Sequence, residues 1–389
     1  MIPLSYNTRS LAVRKSTTIA TSLGVALVVF VMATALMLSA GIHKTFVAAG
    51  RDDTAITVRK GSRAEFSSLI DEETARLIMT SPGVATDARG QPMAMAENVV
   101  VGLAEKVGVA GFSNLQIRGV ADNVFEFRPE VRIVAGRRPQ PGSDEAMIGQ
   151  SIRGHFKGID LDQSYELRKG RVVKIVGVFS SGGSMYDSEL WVGRDLLRDA
   201  YHRGSLSSSV RVRLTSRQAF DGFRGAMESD KRLGLSAMRE SDYFEQQSEG
   251  MSTIIGGLGT AIAVFCALGA MIGATITMYA AVANRQREIG TLRALGFSRT
   301  SILLSFLFES VMLALIGGIV GVLAATTMKF VHVSILNQES WSELVFSFDP
   351  TPEILIRAFL FAAIMGLFGG FLPAVRAARV SPIAAIRAL

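Results

Sequence analysis

Between Glu249 and Arg285 the chain runs 35 residues without a formal charge, and the charged segment from Asn284 to Thr300 follows at once. A helix needs about 20 apolar residues to cross a hydrocarbon core. The uncharged run is therefore read as a membrane span, and the segment after it, NRQREIGTLRALGFSRT, as an element at the membrane's edge. That segment sets Ile289, Leu292, Ala294, Leu295 and Phe297 among Arg285, Arg287, Arg293 and Arg299. Positions 285, 288, 292, 295 and 299 have helical spacing, which predicts a short amphipathic helix. Gly296 is placed to end it, and Ser298 to cap the next helix. Two readings stay open on spacing alone: a basic loop that anchors the chain, and a surface that docks a soluble partner.

Three more stretches are long and apolar enough to span. Ser16 to Ile42 has no charge, Ser301 to Met328 has only Glu309, and Ala358 to Val375 has none, with Ile354 to Ile356 extending it. The expected spans are 16–42, 251–283, 301–328 and 353–375. The first could be a signal peptide, since Arg14 and Lys15 precede it and Ala33-Thr34-Ala35 has a small-x-small pattern. A signal core is usually 7–15 apolar residues, however, and this run is longer, so an uncleaved anchor is expected.

Short-loop basic residues orient the spans. The N-terminal tail 1–15 (Arg9, Arg14, Lys15), the 284–300 segment and the C-terminal tail 376–389 (Arg376, Arg379, Arg387) carry +3 each, while Lys329 to Pro352 has one Lys and three acids. Both termini and 284–300 are thus expected in the cytoplasm, and 43–250 and 329–352 outside a bacterial inner membrane. The whole chain is only +7, so its basic character sits at the cytoplasmic membrane edge, where anionic lipid accounts for it. No nucleic-acid partner is needed. The one cysteine, Cys266, lies inside a span, which leaves no intramolecular disulfide.

Residues 43–250 read as a mixed α/β domain. Strand signals rich in β-branched residues fall at 55–58, 99–101, 115–120, 131–134, 172–179 and 210–214. Helical patterns fall at 65–80, 194–201 and 217–229, and Gly/Pro/Ser-rich loops at 136–142 and 180–183. The second span, at 33 residues from Met251 to Ala283, is about 50 Å long at 1.5 Å per residue, more than a bilayer core requires.

Three small-xxx-small pairs lie in the spans: Gly269 and Gly273, Gly317 and Gly321, Gly366 and Gly370. They serve either ordinary helix packing or a dimer seam. Glu309, about two turns into the third span, is either a polar contact in the bundle interior or near the cytoplasmic interface, or a carboxylate at headgroup level. Catalytic constellations are missing. The four His residues, at 43, 155, 202 and 332, have no metal-ligand spacing. There is no G-x-x-x-x-G-K-[ST] phosphate loop and no G-x-S-x-G elbow. Gly182-Gly183-Ser184 reads as a turn. Energised work would need a partner's energy.

Arg287-Glu288-Ile289-Gly290-Thr291-Leu292-Arg293-Ala294-Leu295-Gly296 resembles the REIGxLRAxG coupling segment of FtsX-like permease subunits of ABC transporters, in the branch with a MacB-like periplasmic core domain. Glu309 to Gly321 is similar to the family's acid followed by an apolar, Gly-rich helix. The tail from Pro373 through Arg376, Arg379 and Pro382 to Arg387 looks like its PAxRAARxxPxxALR ending. The resemblance implies four transmembrane helices and a large two-lobed periplasmic domain between the first two, with lobes at 43–110 plus 205–250 and at 111–204. It implies a second permease subunit, identical or different, and two copies of an ABC ATPase that binds ATP and Mg, leaving this chain without cofactor or catalysis. Arg285 to Gly296 would seat in a cleft on the ATPase. ATP-driven closure would then rock the spans and move the outer domain, driving export or release of an amphipathic substrate or lipoprotein, with a periplasmic adaptor, lipoprotein or outer-membrane duct as further partner. The macrolide exporter carries its ATPase on the same polypeptide; here only 15 residues precede the first span, so a separate ATPase is expected. The alternative from another class is a membrane scaffold that controls a periplasmic cell-wall hydrolase. A proton-coupled carrier would need intramembrane ionisable pairs, and Glu309 is the only acid inside a span rather than at its end.

Overall fold

The structure is a computed structural model that describes residues 15–108, 110–337 and 339–381. In chain order the elements are α1 (Lys15–Val47), β1 (Thr54–Arg59), α2 (Glu72–Met79), β2 (Ala94–Glu105), β3 (Phe112–Val120), α3 (Val124–Phe127), β4 (Arg132–Gly136), β5 (Glu145–Gly149), β6 (Ser164–Arg168), β7 (Arg171–Ser180), β8 (Glu189–Gly193), α4 (Arg194–Ala200), β9 (Ser209–Arg213), α5 (Ala219–Ser229), β10 (Leu235–Arg239), α6 (Glu240–Asn284), α7 (Gln286–Ala294), α8 (Arg299–Thr326), β11 (His332–Asn337), β12 (Ser342–Ser347) and α9 (Pro352–Ala378). They form two compact units. One takes the residues up to Ala40, Ser252–Val331 and those from Ser347 onward; the other takes Gly41–Met251 and His332–Phe346.

The helical unit is built from α1, α6, α8 and α9, each long and apolar enough to cross a membrane. Its outward side chains are apolar, among them Leu23, Leu27, Phe265, Ile272, Leu323 and Phe368. Its seams are made of small residues and hydroxyls. A Cβ on Gly317 would lie 2.4 Å from the carbonyl oxygen of Ser22, and one on Gly321 would lie 2.5 Å from that of Ala26, so α8 touches α1 backbone to backbone. Gly366 and Gly370 make the same approach to Ala314 and Ser310, between α9 and α8. Ser22 Oγ donates to Leu313 O at 3.0 Å, and Ser310 Oγ donates to Gly366 O at 2.8 Å. Gly269 and Gly273, in contrast, are exposed on α6 with nothing near them.

The other unit is a ten-stranded sheet ordered β10-β1-β9-β2-β3-β8-β5-β7-β4, with β6 on β7. The twelve-residue β2 carries the joint. Through Glu97 it pairs with β9, and from Asn98 it pairs with β3. Each half-sheet has its own core: Ile70, Ile78, Val210, Val212, Phe220 and Phe223 on one side, and Leu115, Ile117, Ile148, Ile175, Leu190 and Leu197 on the other.

Several expectations change. The helix expected at 65–80 is confined to α2, because Asp71 caps it by accepting from the Thr74 backbone N–H at 2.8 Å. Glu65–Ser67 forms a separate 3-10 turn. The 99–101 strand signal is the middle of β2, whose other residues include the buried polar Glu97 and Asn98. β5, β6, β8 and β10 carried no sequence signal that we read. The helix containing the second span starts at Glu240 and runs 45 residues, roughly 68 Å. The expected loop at 329–352 is largely the hairpin β11–β12, whose residues through Phe346 belong to the sheet unit. Lys106 Nζ lies 2.7 Å from Glu343, Ser342 Oγ donates to Gln116 at 3.0 Å, and Val345 joins the second core.

Candidate functional site

In the helical unit, α7 lies between α6 and α8 in the chain. Arg285 is its N-cap residue, and Gly296 (φ 93°) ends it. The amide of Gly296 donates to Arg293 O and that of Phe297 donates to Leu292 O, both at 3.2 Å, the two bonds of a Schellman cap, which glycine's freedom at positive φ permits. Ser298 then caps α8, its hydroxyl accepting from the Ser301 amide. The short helix is nine residues long, and residue 299 of the 285–299 spacing falls in α8.

The two sides of α7 differ. Ile289 and Gly290 are buried, and Ile289 packs with Met278, Val282, Ile302, Phe306 and Ala377. Arg285 is buried too. Its Nη1 lies 3.0 Å from Glu309 Oε2, with both side chains 6% exposed, and its Nε lies 3.1 Å from Glu288. The guanidinium also stacks over Phe306, 5.4 Å from the ring centroid. A charge in such surroundings persists only when paired. Arg287, Glu288, Thr291, Ala294, Leu295 and Gly296 are exposed, while Leu292 and Arg293 are half-buried. Arg376 is exposed and lies over Tyr279, and Arg379 is exposed as the cap of α9. Pro382 and Arg387 lie outside the described residues, as do Arg9 and Arg14.

The sheet unit holds a cluster that sequence reading missed. Arg118 on β3 meets Glu97 on β2 at 2.9 Å, Glu189 on β8 at 2.7 Å and Glu65 at 3.0 Å. Arg211 on β9 meets Glu97, Glu65 at 2.5 Å and Glu240 at 2.8 Å. Arg128, after α3, lies 3.0 Å from Glu240 and stacks 4.3 Å from the Tyr186 ring centroid. All seven charged groups are buried. Burial alone would raise the Glu65 carboxyl, but the charges and hydrogen bonds of Arg118 and Arg211 hold it well below its ordinary value. Burial likewise opposes the Arg118 charge, which Glu189, Glu65 and Glu97 more than restore. No local mark of it stands in the sequence: Arg211 alternates with Val210 and Val212 as a half-solvated strand would.

Among the described residues no group of three or more His, Cys, Asp or Glu could hold a metal. A groove of about 930 Å³ lined by Phe125, Arg138, Pro141, Arg171, Trp191 and Asp195 among others has several of its charges paired with one another. Arg171 faces Asp144 and Asp199, and Arg194 faces Asp195.

Residues 17–229 match the family described as MacB-like periplasmic core domain, and residues 260–382 match the FtsX-like permease C-terminal family. The chain is 27% identical over 316 residues to YvrN of Bacillus subtilis (strain 168), described as an uncharacterized ABC transporter permease, covering 73% of this chain and 74% of that one. It is 29% identical to YknZ of the same organism, likewise described, over 56% of this chain and 55% of that one. It is 27% identical to the macrolide export ATP-binding/permease protein MacB of Escherichia coli (strain K12), over 55% of this chain and 33% of that one. The chain thus spans about half the length of YknZ and a third of MacB. Among solved structures, the periplasmic region of MacB from Actinobacillus actinomycetemcomitans aligns with a TM-score of 0.39 at 14% identity, covering 54% of this chain and 97% of that one.

Proposed function

Because the chain belongs to the FtsX-like ABC transporter permeases with a MacB-like periplasmic core domain, we propose that it is a mechanotransmitting membrane subunit. In this reading a separate ATPase pair, binding ATP and Mg, grips α7 from the cytoplasm. The helices turn that grip into movement of the sheet unit in the periplasm, which drives export or release of an amphipathic substrate. The basic segments at both ends and at 284–300 support cytoplasmic termini, and the lipid-like exterior of the helical unit supports a multi-pass inner-membrane location. The two half-sheets, each with its own core, support a two-lobed outer domain. We place a second permease copy, identical or not, against the exposed Gly269–Gly273 face.

One observation carries the reading: α7 is two-sided. Arg285, Ile289 and Gly290 fasten it to its own unit, which leaves Arg287, Thr291, Ala294 and Leu295 outward. A loop that merely anchored would not need an interior ion pair to hold a nine-residue helix in place. The test is Leu295→Glu combined with Arg287→Glu in the full chain. The variant is expected to purify folded and to lose both co-purification with its ATPase and nucleotide-dependent movement. An unchanged complex would refute the docking role.

A further inference from the structure

The buried cluster of the sheet unit links seven charged groups, and one of them, Glu240, is the first residue of the 45-residue helix α6. Its Oε1 is 2.8 Å from Arg211 Nε and 3.0 Å from Arg128 Nη2, and it accepts from the Tyr186 hydroxyl at 3.3 Å. From Arg211 the chain of contacts goes to Glu97, the last β2 residue that pairs with β9. From Glu97 it goes to Arg118 on β3, and from there to Glu189 on β8. The path therefore begins at the root of α6 and crosses the point where β2 changes partners.

Apolar contact is non-directional and lets packed elements slide. Charge-assisted hydrogen bonds fix distance and angle. A purely structural core at this position would be served as well or better by apolar residues of the same volume, so the retention of four carboxylates and three guanidinium groups calls for another role. The backbone repeats the attachment. A Cβ on Gly50 would lie 2.7 Å from Ser241 Cα, so the segment leaving α1 is pressed onto the first turn of α6. Tyr243 and Phe244 are buried, Phe244 edge-on to Tyr186 and Tyr243 edge-on to Phe244. The network also has spare valence within itself. Glu240 Oε2, Glu97 Oε1, Arg211 Nη2 and Arg128 Nε are buried without a hydrogen-bond partner, so the same seven residues can exchange partners without any group leaving the core.

We propose that Glu240, held by Arg211 and Arg128 and linked through Glu97 to Arg118, is the joint by which the first turn of α6 sets the angle between the two half-sheets. This rests on the mechanotransmission reading above and adds the residues that receive the motion. Glu240 and its partners are positioning residues.

The experiment uses the full chain with its co-purified ATPase in lipid nanodiscs, in a Cys266→Ser background. Spin labels are placed at Lys60→Cys beside β1 and Lys169→Cys beside β7, both exposed, and distances are recorded without nucleotide and with ATP plus vanadate. Wild type is expected to shift between two distance populations. Glu240→Gln keeps the shape and leaves three carboxylates facing three guanidinium groups. It is expected to retain the nucleotide-free distances and ATP hydrolysis while the nucleotide-driven change in population ratio falls about tenfold. A merely structural Glu240 would lower thermal stability and leave that ratio alone. A full shift in the variant overturns the joint. No shift in wild type overturns the mechanotransmission reading, and the joint with it. Should the amide variant fail to fold, Glu240→Asp keeps the charge and shortens its reach. A reduced shift is then expected, and a wild-type shift overturns the joint.

Discussion

Each of the two units buries arginine–glutamate pairs, and they do so in opposite ways. The helical unit buries the pair Arg285 with Glu309, braced by Glu288 and Phe306. Aliphatic residues such as Val29, Met37, Ile302 and Leu313 are buried there too, but the close seams between helices are glycine, alanine and serine, and the exterior is rich in leucine, isoleucine and phenylalanine. The sheet unit inverts this arrangement, with aliphatic cores inside, charged residues outside, and a cross-linked cluster where three arginines share four carboxylates. The difference follows from the surrounding medium. Helices in lipid gain little by hiding apolar side chains and instead gain by close backbone approach. A sheet in water is driven together by apolar burial, and such a fold can carry a polar cluster as a specific device.

The contrast can be broken most sharply at Arg118. Arg118→Met leaves Glu65, Glu97 and Glu189 short of a shared partner and is expected to destabilise the sheet unit by about 5 kcal/mol. Both tryptophans, Trp191 and Trp341, lie in that unit, so fluorescence-monitored unfolding reads it. An unchanged midpoint would mean the cluster is dispensable. Next comes Glu309→Ala, which removes the buried carboxylate facing the Arg285 guanidinium and should cost about 3 kcal/mol in the helical unit; Arg285→Met with Glu309→Met should recover most of it. The readout is thermal aggregation in detergent, and a double variant no better than the single one would contradict a simple pair. Gly317→Ala must push the Ser22 carbonyl aside and is expected to cost about 2 kcal/mol.

Acid separates the units more gently. The folded-state value of Glu65 lies below its ordinary 4.5. Its stabilisation is therefore complete above that pH and fades as pH falls further. The sheet unit should weaken on acidification, and Glu65→Gln should flatten that dependence. The smallest effect is expected at Gly269→Ala, where nothing lies within 4 Å; single-chain stability should stay within about 0.5 kcal/mol. Loss of a dimer by light scattering in that variant would assign the face to a second copy.

Much of this was legible because periodicity reports the medium directly. Long uncharged runs marked α1, α6, α8 and α9, and Gly296 and Ser298 marked a helix end and the next start. The glycine spacing at 317 and 321, and at 366 and 370, marked close approach, but spacing alone could not say that Gly269 and Gly273 would meet nothing within the chain. Arg285 and Glu309 are 24 residues apart on different elements, so neither announced the other. Nothing in the sequence singled out Glu97 or Glu240, since a charge in a sequence carries no mark of where its partner will come from. The hairpin was hidden in a segment too mixed to alternate, HVSILN and SELVFS.

That hairpin has a consequence for biogenesis. Val345 and Phe346 are core residues of the sheet unit, yet the ribosome makes them only after α6, α7 and α8. The sheet unit is therefore finished late. For the whole interval in which the middle helices are being made, its core lacks these residues, and a fragment ending at Met251 would lack them permanently.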